Sequence, residues 1–274
     1  MRLVTRSDFD GLACAVLLKE LGLIDDFLFA HPKDLQDGKV EVGPNDILAN
    51  VPYVPGAGLW FDHHTSEFDR LKGRQQFEGL SKPAPSCARV IWEYYGGDDH
   101  FDVRLRPMME AVDKVDSANL TAEEILDPPA WILLGYLMDP RTGLGRFRDY
   151  RISNYQLMLD MIEHCRTMSA EEILTLPDVQ ERARRYQDQN ERFRQMLTKR
   201  TTRVKNLVVV DLRHQDVIYS GNRFLVYTMF PECNVSLQII WGFRRQNVVF
   251  TVGHSILNRS CGVDVGKLML EFGG

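Results

Sequence analysis

The chain has 274 residues, 44% of them hydrophobic, with a formal net charge of -5 and a pI near 5.8. That length can bury a large core and suits two medium domains. The acidic balance excludes broad electrostatic binding to long duplex nucleic acid, which needs many basic contacts to phosphate, yet leaves room for one basic pocket for a short anion.

Residues 2–5 predict a strand and residues 11–21 a helix with Leu12, Ala15, Val16, Leu17 and Leu21 on one face. The Asp8-Phe9-Asp10-Gly11 turn lies between them. Further strands are expected at 27–30, at 46–51 before Pro52 and Pro55, and in the stretch 59–64, where an apolar run stops at Asp62-His63-His64. These alternate with helical segments, among them 88–95 and 105–115. The pattern predicts a largely parallel sheet covered by helices, with ligands beyond the carboxyl ends of the strands. Asp8, Asp10, Asn50, Asp62, His63 and His64 would all lie there.

Residues 129–168 read as helical core interrupted by the loop 139–151, which holds Arg141, Arg146, Arg148 and Arg151. Arginine forks suit phosphate oxygens, so Arg146 and Arg148 are candidate substrate contacts. Residues 177–203 form a long polar helix with a narrow apolar stripe at Val179, Ala183, Tyr186, Phe193 and Leu197, as a connector would. It separates a first domain, 1–176, from a smaller α/β domain with a mixed sheet, 204–274. There, strands at 207–210, 235–240 and 248–252 accompany a helix near 224–229, residues 242–247 close a hairpin, and Asp264 caps a last helix toward Phe272. The fold class expected is therefore α/β.

Five cysteines, Cys14, Cys87, Cys165, Cys233 and Cys261, are widely spaced, odd in number and without CxxC spacing. They read as reduced structural thiols. The first residues predict strand, turn and helix in place of a signal peptide, and no stretch approaches the ~18 apolar residues of a membrane span. A cytoplasmic protein without membrane contact is expected.

Hydrolysis of a phosphate ester needs a strong oxygen nucleophile and neutralisation of the phosphoryl oxygens, and divalent metals held by carboxylates and imidazoles supply both. Imidazole plus carboxylate ligation suits Mn²⁺, Fe²⁺ or Zn²⁺ better than Mg²⁺. Ser-Asp-Phe-Asp-Gly at 7–11, Asp-His-His at 62–64 and Asp116 after the helix containing Asp113 resemble, in order and spacing, the motifs of the DHH phosphoesterase superfamily. That superfamily includes exopolyphosphatases and nano-RNases. The C-terminal part resembles its DHH-associated substrate-binding domain, through Arg259-Ser260 and Asp264-Val265.

The resemblance implies a metal-dependent phosphohydrolase using metal-activated water, with Mn²⁺ the first expectation and Mg²⁺, Fe²⁺ or Zn²⁺ as alternatives. Its substrate would be a small anion: polyphosphate ends, short oligonucleotides or linear dinucleotides. Asp8, Asp10, His63 and Asp116 would be metal ligands, with Asp113 the competitor of Asp116. Asn50 or water would complete the set. His64 would face the scissile phosphate, Asp62 would orient its neighbours, and Arg259 with Ser260 would hold a substrate phosphate. His31, His214, His254 and Cys14 read as structural.

Arg6 and Asn50 depart from the family pattern, which has histidine and aspartate there, so one of two metal sites is expected to be impaired, with Arg6 supplying fixed charge to a phosphate. The alternative is a degenerate relative that binds a nucleotide or phosphate without turnover. The resemblance also implies a glycine-rich stretch ending in histidine after Val265, and Gly273-Gly274 reads as its incomplete beginning. A homodimer is compatible with all of this.

Overall fold

The computed structural model describes residues 1–71 and 77–273. Gly274, part of the expected glycine stretch, lies outside the described residues. Two compact units account for the chain. The first comprises residues 1–119, 129–140 and 147–182, the second residues 120–128, 141–146 and 183–274.

The first unit carries β1 (Arg2–Thr5), α1 (Phe9–Glu20), β2 (Asp26–Phe29), α2 (Pro32–Gln36), β3 (Asp46–Ala49), β4 (Leu59–Asp62), α3 (Thr65–Leu71), β5 (Gly79–Ser81), α4 (Cys87–Tyr94) and α5 (Arg106–Asp116). Next come α6 (Ala122–Leu126), which belongs to the second unit, then α7 (Ala130–Met138), α8 (Asn154–Thr167) and α9 (Ala170–Ile173). The five strands stand in the order β2-β1-β3-β4-β5, and every neighbouring pair is parallel. The predicted parallel sheet is therefore present. Because β2 and β3 lie on opposite sides of β1, the order reverses there, and a crevice opens at the carboxyl ends of the strands.

Strand alternation splits the core into two layers. Leu3, Ile47 and Phe61 are buried alternately with Val4, Leu48 and Trp60. The second set joins Leu35, Val51, Tyr53 and Leu71 in one cluster, where Trp60 packs against Tyr53 and Phe77 at ring distances of 5.3 and 4.7 Å. Phe61 instead meets Tyr94 at the end of α4. Helix α1 is buried from Phe9 through Leu18 and packs against α4, α5, α7 and α8. A helix apolar all round belongs in the middle of a layer. Gly11 is required by crowding, since a Cβ there would stand 2.0 Å from the Arg6 carbonyl oxygen.

Helix α10 runs over Pro177–Arg200; residues through Arg182 group with the first unit and those from Ala183 with the second. The second unit then holds β6 (Thr201–Val204), β7 (Leu207–Asp211), α11 (Leu225–Met229), β8 (Val235–Trp241), β9 (Val248–His254) and α12 (Val265–Glu271). Its sheet runs β6-β7-β8-β9 with β7 and β8 parallel and the outer pairs antiparallel, a mixed sheet as expected. β8 and β9 form the predicted hairpin around 242–247. The long helix ends at Arg200, short of the expected 203, because residues 201–204 pair as strand β6. Among the described residues, no helix is long and apolar enough to cross a membrane.

Candidate active site

Asp8, just past β1, caps α1: its Oδ1 accepts the Gly11 N–H at 2.9 Å. Capping in this way frees the first turn of α1 to present Asp10. That carboxylate is fully buried and received by the start of α4, where Cys87 N–H donates to Oδ2 at 2.9 Å and Ala88 N–H to Oδ1 at 2.8 Å. A helix N-terminus with free N–H groups is a natural seat for an anion. Ser86 fixes that seat, its Oγ accepting from Arg89 N–H and donating to Asp113 at 2.7 Å.

β4 ends at Asp62, and the alternation of the strand continues one step beyond it. His63 turns toward α1 and α5, with Nε2 at 3.2 Å from Asp116 Oδ2 and 3.7 Å from Asp10 Oδ2. Its Nδ1 lies 3.2 Å from the Ala84 carbonyl oxygen, a partner that takes the ring proton and leaves the Nε2 lone pair directed at the carboxylates. Among the described residues, Asp10, His63 and Asp116 form the one group of three acidic or imidazole side chains whose ligand atoms lie within 4.8 Å of one another. Burial first, then the charges of Asp116 and Asp8, push the Asp10 carboxyl well above the usual carboxylate range, against the pull of its two N–H donors. His63 Nε2 is buried without a hydrogen-bond partner. Stacked negative charge beside an unsatisfied imidazole nitrogen is the donor set that a divalent cation satisfies, so the three residues fit a metal ion.

The two candidates on α5 occupy different surroundings. Asp113 is taken by Ser86 and by both nitrogens of an Arg89 fork at 2.8 and 2.6 Å, whereas Asp116 stands with His63.

Asp62 and His64 face the other layer. Asp62 is completely buried, and its Oδ1 is 2.9 Å from His64 Nδ1. That hydrogen bond, aided by the nearby charges of Asp62 and Asp116, raises the His64 pKa over the opposing effects of burial and Arg6. His64 lines a cavity of about 200 Å³ together with Arg6, Gln36, Asn50, Ser66 and Glu67.

Asp8 was expected among the ligands but lies outside the three-residue group. Its Oδ2 is 3.1 Å from Arg6 Nε and its Oδ1 also accepts from Asn50 Nδ2 at 3.1 Å. Asn50, placed in the site by the left-handed turn that ends β3 (φ 57°), keeps its Oδ1 buried without a partner. Asparagine tolerates that backbone region better than most residues.

The remaining expected residues belong to other surroundings. In the second unit, Arg259 Nε donates to the Ile256 carbonyl oxygen at 3.1 Å, and the Ser260 hydroxyl donates to Asn258 at 2.6 Å while accepting from Asn234 at 3.0 Å. Arg146 donates to the Ile218 carbonyl oxygen at 2.6 Å, and Arg148 in the first unit is exposed. Sequence reasoning missed Gln36, Ser66 and Glu67 as cavity walls, and the backbone of α4 as the seat of Asp10. The spacing of Ser86 before an apolar helical run was the available signal for that seat. All five cysteines are free and four are buried; burial pushes the Cys87 thiol up to about 12.

No family model and no curated protein matches the chain. Among solved structures, the pGpG-specific phosphodiesterase PggH from Vibrio cholerae aligns with all of this chain and 89% of its own, at 50% identity and a TM-score of 0.89. The chain belongs to the DHH phosphoesterase superfamily. An uncharacterized protein from Helicobacter pylori G27 aligns over 98% of this chain and 88% of its own at 11% identity and a TM-score of 0.31, too weak a likeness to bear on the fold. As a DHH phosphoesterase the chain is a hydrolase, and the site built from β1, β3 and β4 is where its superfamily motifs converge.

Proposed function

We propose that this chain is a metal-dependent phosphodiesterase of linear dinucleotides, hydrolysing pGpG to two molecules of GMP. The observation that carries this reading is the 50% identity, over the whole chain, to a pGpG-specific phosphodiesterase. Among the substrates that the motifs admit, it favours the dinucleotide over polyphosphate.

Asp10, His63 and Asp116 would hold the cation. When bound, it would supply Lewis acidity, lowering the pKa of water and neutralising charge on the phosphoryl oxygens. The α4 amides keep Asp10 aimed at it, and the Ala84 carbonyl keeps His63 in the ligating tautomer. His64, whose Nδ1–H is committed to Asp62, would donate from Nε2 as the imidazolium that this pairing favours, to a phosphoryl oxygen or the departing 3′-oxygen. Arg6 adds fixed positive charge to the same cavity. Asn50 positions Asp8, and its free Oδ1 offers a neutral acceptor.

In this reading residues 1–176 are the catalytic domain, 177–203 the connector and 204–274 the substrate-binding domain, with Arg259, Ser260, Arg146 and Arg148 contributing contacts to nucleotide phosphate. Mn²⁺ is the proposed metal, on the strength of the mixed imidazole and carboxylate donors.

The test is a substrate panel with the purified chain and Mn²⁺: pGpG, pApA, a model phosphodiester and long-chain polyphosphate. Conversion of pGpG to GMP with the highest kcat/KM supports the reading. Release of phosphate from polyphosphate with pGpG untouched would overturn it.

A further inference from the structure

We infer that this chain binds one divalent cation, at Asp10, His63 and Asp116, and that Arg6 takes the place of a second, meeting a phosphoryl oxygen of the substrate directly. The substrate part rests on the phosphodiesterase reading above; the number of ions does not.

A two-metal site needs a second set of anionic donors beside the first, with the ions ~3.5–4 Å apart. The carboxylate that could begin such a set is Asp8, and its charge is already answered. Arg6 Nε stands 3.1 Å from Oδ2, while Oδ1 accepts from both Gly11 N–H and Asn50 Nδ2. A guanidinium cannot lose its proton in a protein, so a second cation at Asp8 would meet a permanent positive charge. Asn50 adds only a neutral amide oxygen, poorly suited to bridging two cations. The donors on β1 and β3 that would complete a second site are thus arranged for a guanidinium.

That guanidinium has the chemistry the second ion would provide. Its Nε is spent on Asp8, and its two terminal amino groups keep the paired donors that match phosphate oxygens. Arg6 lines the same cavity as His64, whose ring contacts His63 at 4.2 Å between centroids. Arg6 and His64 thus bring guanidinium and imidazole donors to one cavity, beside the carboxylates of Asp62 and Glu67. Asp8 is then a positioning residue, holding Arg6 in place.

The experiment is calorimetric titration of the chelator-treated full chain with MnCl₂, followed by inorganic phosphate binding to the Mn²⁺-loaded chain. One ion per chain is expected. Asp8→Asn should still bind one ion, weakened less than about 10-fold, and Asp10→Asn should lose more than about 100-fold. Two ions in the wild type, or loss of the ion in a folded Asp8→Asn, would overturn the inference. Arg6→Ala should weaken phosphate binding about 10- to 100-fold, with partial recovery in Arg6→Lys. Equal phosphate affinity in wild type and Arg6→Ala, or no phosphate binding by the wild type, would also overturn it. Thermal melts of each variant separate these outcomes from misfolding. Failure to hydrolyse pGpG with one ion and Arg6-dependent phosphate binding intact would reject the dinucleotide reading alone.

Discussion

His63 and His64 are neighbours in the chain and differ in task. One has its Nδ1 at a backbone carbonyl and its Nε2 toward two carboxylates; the other has its Nδ1 at Asp62 and lines the cavity. The partner of each imidazole decides what the ring can do. Asp62→Asn tests the division. An amide in place of the carboxylate removes the interaction that raises the His64 pKa. It is expected to lower kcat about 10- to 100-fold while Mn²⁺ affinity stays unchanged. Lost Mn²⁺ binding in that variant would mean that Asp62 acts on the metal cluster instead. Much of this residue-scale picture was legible in advance, because Asp10, His63 and Asp116 sit in motifs whose spacing survives without coordinates. The commitment of Asp8 to Arg6 was not legible, since side-chain pairing between 6, 8 and 50 depends on where the β1 and β3 ends meet.

At the scale of elements, the site exists because parallel strands end together. β1 delivers Asp8 and α1, β3 delivers Asn50, and β4 delivers the Asp-His-His run whose alternation sends His63 to one layer and His64 to the other. The strands were readable as short apolar runs. Helices α2 and α3 were not, because five and seven residues are too few to show a period, and their side chains Gln36, Ser66 and Glu67 were missed with them.

Register between β1 and β3 is pinned at the far end of the sheet by Arg2, which grips Asp46 through Nε at 2.7 Å and a terminal nitrogen at 2.9 Å. Burial works against the Asp46 charge, but the Arg2 hydrogen bonds and the Gly43 N–H outweigh it and hold the carboxyl below its ordinary pKa. A carboxyl with a depressed folded pKa contributes stability that is fully present above about pH 4, its unfolded value, and lost as pH falls through the folded one. Asp46→Asn should therefore melt lower at pH 7 and lose less on acidification than the wild type. Parallel melting curves of the two proteins from pH 7 to pH 3 would contradict that assignment.

For the whole molecule, the five-stranded parallel sheet and the four-stranded mixed sheet are what the pattern of short apolar strands, helices and a hairpin predicts. The net charge of -5 is compatible with an anionic substrate because Arg6 and His64 place positive charge locally in one cavity, to which an ion at Asp10, His63 and Asp116 would add, against an acidic whole. The motifs, which polyphosphatases and nucleases share, do not distinguish substrates, and the proposed one rests on the full-length likeness to a pGpG-specific phosphodiesterase. Asp10, His63 and Asp116 are proposed as the centre at which a dinucleotide is cut. Hydrolysis of pGpG by wild type and His63→Ala under saturating Mn²⁺ tests it most directly. The account predicts GMP release by the wild type and a fall of at least about 100-fold in kcat for a normally folded His63→Ala. GMP release by His63→Ala at the wild-type rate would contradict it.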